Sequence, residues 1–113
     1  FPAKQLGGPA YIKAIDPALH KTISLVPTGG TNAGNIADYI DAGVLVLGGS
    51  FSMIEKATMA KIVDEQDYDL LSRELSAIKL MIDDHKREKY PEIDFSAANI
   101  EQICSATGRR FNL

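Results

Sequence analysis

The spacing of apolar positions changes along the chain, and each change predicts an element. Ala10, Tyr11, Ala14 and Ile15 recur at about helical spacing behind Gly7-Gly8-Pro9, which predicts a short helix over roughly 9–15. Asp16-Pro17 stops it, because the residue before a proline is pushed out of the helical region. Thr22–Val26 is a short β-rich run bounded by Lys21 and Pro27 and reads as a strand. Thr31-Asn32 can cap the next helix, whose buried stripe is Ile36, Ala37 and Ile40, with Gly43 as its C-cap. Val44–Leu47 is an unbroken apolar run, as expected of a strand covered on both faces. Phe1-Pro2-Ala3 reads as the end of an earlier strand. Strands alternating with helices over short links indicate βαβ units and a parallel sheet, an α/β fold.

After Ser50 the pattern becomes helical. Met53–Ile62 is weakly so. Asp67 or Asp69 can cap a long helix running to about Lys89, in which Leu71, Leu75, Ile78 and Ile82 share one apolar face. Asp83, Asp84, Lys86, Arg87 and Glu88 read as its solvated end, and Tyr90-Pro91 breaks it. Asp94 or Ser96 can start a last helix, with Ala97, Ile100, Ile103 and Cys104 inward and Gly108 just past its end. These two parts, 1–89 and 90–113, are the expected divisions of the chain. The second is a helical extension that packs on the same domain or on a neighbouring subunit.

Composition narrows the function classes. A net charge of −3 argues against a nucleic-acid binder, which carries a basic face. No apolar run approaches the ~20 residues of a membrane span, and no secretory leader is seen, so a cytoplasmic protein is expected. The single cysteine, Cys104, has no internal disulfide partner, and no Cys/His spacing suggests zinc. His20 is expected in an exposed loop and His85 on a charged helix face, each without a partner. The chain opens on Phe1 rather than Met, which reads as a fragment, a cleaved chain or part of a longer barrel.

The chemistry-bearing feature is a pair of glycine loops. One apolar run ends in Pro27-Thr28-Gly29-Gly30 and the next in Gly48-Gly49-Ser50. Glycine lets a backbone approach an anion closely and adopt positive φ. A helix beginning near Asn32 would aim free N–H groups at that anion. Gly49 adds a backbone donor and Ser50 a hydroxyl. No lysine or arginine occurs between Pro27 and Lys56, so backbone dipoles would dominate phosphate binding. One such pair alone would be read as a tight βα turn. Two at the ends of consecutive strands fit the phosphate site that eight-stranded βα barrels build after strands seven and eight.

At these residues the chain resembles the 2-keto-3-deoxy-6-phosphogluconate (KDPG) aldolases, which overlap with the 4-hydroxy-2-oxoglutarate (KHG) aldolases. The resemblance rests on Phe1-Pro2-Ala3, Gly7-Gly8, Tyr11–Ile15, Val26–Gly30, Asn35–Gly43 and Gly48-Gly49-Ser50, in matching order and spacing. It is close over about 1–50 and looser to about 85. It implies a (β/α)8 TIM barrel, of which the chain holds the end of strand six, then strands seven and eight with their helices. It further implies a homotrimeric class I aldolase of Entner–Doudoroff carbohydrate metabolism. In that family a lysine forms a Schiff base with the substrate ketone and the C–C bond breaks, giving pyruvate and glyceraldehyde 3-phosphate. No cofactor or metal is implied. Carried onto this sequence, Phe1, Pro27 and Thr28 are substrate-binding, and Gly29, Gly30, Gly49 and Ser50 are phosphate-binding. The substrate is a small phosphorylated keto acid, and the N-terminal half of the same barrel is a required partner.

The departures are equally specific. The Schiff-base lysine is expected just before Phe1, so no catalytic residue is expected within the chain. The first five strands, with the family's glutamate and arginine, are absent. Lys4 stands where the family commonly has glutamate, and it reads as a solvated loop lysine rather than a nucleophile. The tail from about Tyr90 has no counterpart. Thiamine-phosphate synthase-like and phosphoribosyl isomerase-like barrels use similar phosphate loops, and a non-catalytic half-barrel is a third reading.

Overall fold

A computed structural model describes residues 1–19 and 21–110; His20, expected in a loop, lies outside the described residues. Among the described residues five α-helices follow one another: α1 (Gly8–Ile15), α2 (Ile36–Asp41), α3 (Lys56–Glu65), α4 (Tyr68–Lys89) and α5 (Ile100–Thr107). A 3₁₀ turn at Phe51–Met53 precedes α3.

Local chemistry sets most of these boundaries. Pro9 opens α1 in its first turn. α2 ends as a Schellman motif: Gly43 N donates to Ile40 O at 2.9 Å and Val44 N to Tyr39 O at 3.2 Å, with Gly43 at φ +102°. Asp67, not Asp69, caps α4, its Oδ1 accepting from Leu70 N at 3.0 Å. Glu55 accepts from Ala57 N and Thr58 Oγ1 at the start of α3.

Several expectations need correction. α2 starts at Ile36, because Asn32 is spent on a turn: Asn35 N and Ile36 N both donate to Asn32 O, and Asn32 N donates to Asn35 Oδ1. Tyr39, outside the predicted stripe, is buried with Ile36 and Ile40, and that burial raises its hydroxyl pKa. α5 starts at Ile100 rather than after Asp94 or Ser96. Those two residues close on each other, with Ser96 N and Oγ donating to Asp94 Oδ1, while Asn99 and Gln102 form a reciprocal capping box. Ile100 is therefore largely exposed. On α4, Leu71, Ile78 and Ile82 are half-buried, but Leu75 faces outward. His85 does have a partner, Asp41, at 2.9 Å across the α2–α4 contact.

The two β-rich runs are not helical, but they form no ladder among the described residues. They run parallel and meet at a single bridge, Thr28 with Gly48. A strand needs a continuous hydrogen-bonded neighbour, and here pairing is confined to the C-terminal ends. Gly48 N donates to Pro27 O (2.9 Å), Ala3 N to Thr28 O (2.9 Å) and Lys4 N to Gly29 O (3.1 Å). The segments at 1–4, 27–30 and 48 thus lie side by side in that order. Beneath them Ala3, Ile12, Tyr39, Ala42 and Val44 form the core, with Leu25 and Leu47 packed against it.

The tail from Tyr90 returns to this core. Phe95 packs edge-on to Tyr90 and under the Lys86 ammonium. Arg109 is buried; its Nη2 donates to Asp16 Oδ1 (2.8 Å) and Ile23 O (2.7 Å), and its Nη1 to Asp16 Oδ2 (3.1 Å). A longer bond reaches Gly43 O at 3.4 Å. One guanidinium therefore joins the end of α1 to the starts of both β-rich runs. No described helix is long and apolar enough to cross a membrane.

Candidate functional site

The pairing at the ends of the β-rich runs brings both glycine loops together. Thr28 meets Gly48 at the bridge, and Thr31, fully buried, donates its hydroxyl to Gly48 O at 2.8 Å. The first loop is further braced by Asn35, whose Nδ2 donates to Gly30 O at 2.9 Å. The loops therefore do not depend on a ligand for their mutual position.

Packing requires glycine at the heart of the first loop. Gly29 and Gly30 have φ of +94° and +79°. A Cβ on Gly29 would lie 3.1 Å from the Phe1 ring and 3.2 Å from Pro2 Cα. One on Gly30 would lie 2.5 Å from Lys4 Cβ. At Gly48 an added Cβ would run into the Thr28 hydroxyl, and at Gly49 into the flexible Met53 sulfur. The amide N–H groups of Gly29, Gly30, Gly49 and Ser50 find no acceptor among the described residues. Those of Gly29 and Gly30 stand on a positive-φ backbone, and such unbonded amides are the donors an oxyanion takes.

The expected residues are not all equally placed. Phe1 is exposed at the rim and touches the first loop. Pro27 is buried beneath it and Thr28 half-buried. Ser50 faces the following 3₁₀ turn, its hydroxyl 2.9 Å from that of Ser52 and accepting from Ser52 N at 3.3 Å. α2 contributes less than expected. It is six residues long, and the N–H groups of Asn32, Gly34, Asn35 and Ile36 are spent within its lead-in turn. The donors at this site therefore come from the loops themselves.

Lys4 is exposed, as the sequence reading of a loop lysine has it, but that reading gave it no place beside the glycine loops. Its stem lies across Gly30, and only the backbone register from Phe1 to Gly30 could have indicated that. A cavity of about 520 Å³ opens beside the loops, lined by Asn32, Gly34, Met53, Ile54 and Met59. A larger one, about 680 Å³, lies away from them at the end of α4. Among the described residues no cluster of His, Cys, Asp and Glu is arranged to hold a metal ion.

The family model for KDPG and KHG aldolase matches residues 1–73. A 2-dehydro-3-deoxy-phosphogluconate aldolase of Pseudomonas aeruginosa is 40% identical over 78 residues, 66% of this chain. The chain spans only 33% of that relative's length. No solved structure matches it. The match covers both glycine loops and the Phe1-Pro2-Ala3 segment beside them, so this chain belongs to the KDPG and KHG aldolase family.

Proposed function

We propose that this chain is the C-terminal part of a class I aldolase barrel, and that its glycine loops clamp the phosphate of the substrate. Phe1–Ala3 is then the end of strand six, 22–26 strand seven and 44–47 strand eight. The observation that carries this reading is the lateral order at the loop end: 1–4 beside 27–30 beside 48, with the Phe1 ring against Gly29. That is the order in which a βα barrel presents consecutive strands at the face where its active site lies.

The whole protein would cleave 2-keto-3-deoxy-6-phosphogluconate reversibly to pyruvate and glyceraldehyde 3-phosphate, and 4-hydroxy-2-oxoglutarate to pyruvate and glyoxylate. A lysine just upstream of Phe1 condenses with the ketone, expelling water. The protonated imine draws the electrons of the breaking C–C bond, and hydrolysis of the enamine-derived imine releases pyruvate. Phe1 lines the keto-acid end, Pro27 shapes the loop between the two ends, and Thr28 stands on the phosphate side. Gly29, Gly30 and Gly49 offer backbone N–H groups to the phosphate, with Ser50 at the rim. The N-terminal part of the barrel supplies the remaining catalytic groups, and the assembled enzyme is a cytoplasmic homotrimer needing no cofactor. Residues 90–110 of the extension close the end of the core opposite the loops.

The test is reductive trapping. Borohydride with pyruvate should leave a stable adduct on a lysine of the full-length protein. An unmodified protein under conditions that label another class I aldolase refutes the Schiff-base mechanism.

A further inference from the structure

We infer that Lys4 supplies the counter-charge of the glycine loops and biases the site toward a dianionic phosphate tail. This rests on the reading of those loops as the phosphate site. Lys4 N donates to Gly29 O at 3.1 Å, which fixes the lysine backbone in register with the first loop. A Cβ built on Gly30 would lie 2.5, 3.2 and 2.9 Å from Lys4 Cβ, Cγ and Cδ. The aliphatic stem therefore runs over the Gly30 Cα. Two bonds separate Cδ from Nζ, so the ammonium stays within roughly 7 Å of that Cα whatever its last torsions.

Charge makes the placement consequential. The chain carries −3, and no other cation occurs in sequence between Pro27 and Lys56. Lys4 is exposed and makes no ion pair among the described residues. Its charge is thus uncommitted beside the unbonded amides of Gly29 and Gly30. A phosphate monoester carries about −1.5 to −2 at neutral pH. It would gain up to about twice the Coulomb attraction that a carboxylate tail gains at the same distance. Backbone dipoles orient the anion, and the ammonium adds a compact point charge able to follow it.

The experiment is a titration of the 113-residue chain with inorganic phosphate, followed by ³¹P NMR at two salt concentrations, with acetate, followed by the ¹H signal of its methyl group, as the monoanion control. Lys4→Gln and Lys4→Glu both keep Cβ, Cγ and Cδ over Gly30, so they differ from lysine chiefly in charge. Lys4→Gln should weaken phosphate binding about tenfold at low salt, flatten its salt dependence and change acetate binding about threefold or less. Lys4→Glu should weaken phosphate by a further order of magnitude, and Lys4→Arg should stay within about threefold of wild type. Equal phosphate affinity in wild type, Lys4→Gln and Lys4→Glu overturns the role of Lys4 and leaves the loops standing. A wild-type chain that binds no phosphate overturns the loop reading, and this inference with it.

Discussion

Arg109 and Asp16 are 93 positions apart and form a buried bidentate pair. Their side chains are only 4% and 9% exposed. Removing one member leaves the other without its partner charge in a place water barely reaches. The penalty for that is about 3–5 kcal/mol, far above the 0–1 typical of exposed pairs. The two halves are not equivalent. Without Asp16 the guanidinium keeps the carbonyls of Ile23 and Gly43, at 2.7 and 3.4 Å. Without Arg109 the Asp16 carboxylate loses every side-chain hydrogen bond recorded for it among the described residues. Arg109→Met, which keeps much of the stem volume, should therefore cost more than Asp16→Ala.

The assay is urea unfolding of wild type, both single variants and the double, followed by circular dichroism. With an urea slope of about 1–2 kcal/mol/M for a chain of this size, a loss of ~3 kcal/mol lowers the midpoint by about 1.5–3 M. The double variant should lose less than the sum of the singles, with a coupling energy of roughly 2–4 kcal/mol. A coupling below about 0.5 kcal/mol would mean that the pair is solvated in solution and that the tail is not anchored at Asp16.

Gly30→Ala should destabilise the chain by about 1–3 kcal/mol, because φ of +79° and the Lys4 stem both oppose a Cβ; an unchanged thermal midpoint would contradict the loop geometry. Lys89 donates to Ile40 O and Asp41 O at 2.8 and 2.9 Å and so caps the end of α2; Lys89→Met should lose about 1 kcal/mol by urea unfolding. Its own partial burial lowers its pKa, so the capping charge fades at a lower pH than an ordinary lysine's. The hydrogen bond from His85 holds the Asp41 carboxyl below its ordinary range. A depressed carboxylate contributes stability above its unfolded pKa and loses it as pH falls through the folded value. The contribution is a few tenths of a kcal/mol for so exposed a pair. Carbon-detected NMR should show the Asp41 midpoint move upward in His85→Ala.

What the sequence disclosed follows from how local each signal is. The Gly43 stop, the Pro9 start and the Asp67 cap are decided within about five residues, and the structure has all three. The Asn99–Gln102 capping box was equally local but was eclipsed by the Asp94-Phe95-Ser96 turn just upstream, which offers the same side-chain chemistry. Strands are different, since an apolar run becomes a strand only through a neighbour that the run itself does not encode. Arg109 was invisible for the same reason. Nothing near it in sequence distinguishes it from Arg110, yet it is buried while its neighbour is exposed. The glycine pairs were legible as loops, but Phe1 and Lys4 pressed against the first of them were not, because they reach it through register rather than spacing.

The two β-rich runs are held at both ends and little between. At one end lie the Thr28–Gly48 bridge and the Thr31 hydroxyl on Gly48 O; at the other, Arg109 on Ile23 O and Gly43 O. Between these pins Val26 and Val46 are 51% and 59% exposed. Parallel strands are stable when both faces and both edges are covered. Under the proposed barrel reading, the remaining strands would cover those valines and complete the ladders. The loop end does not wait for that completion, since its contacts are all made by residues 1–53 of this chain. Phosphate affinity should therefore survive in the chain alone, whereas turnover, which needs the upstream lysine, should not. Hydrogen exchange separates the two regions: Thr28 to Gly30 and Gly48 should tighten on adding phosphate, while 23–26 and 45–47 should stay fast. Uniform protection across both runs would mean that the middle is already paired, and the dependence on further strands would fall.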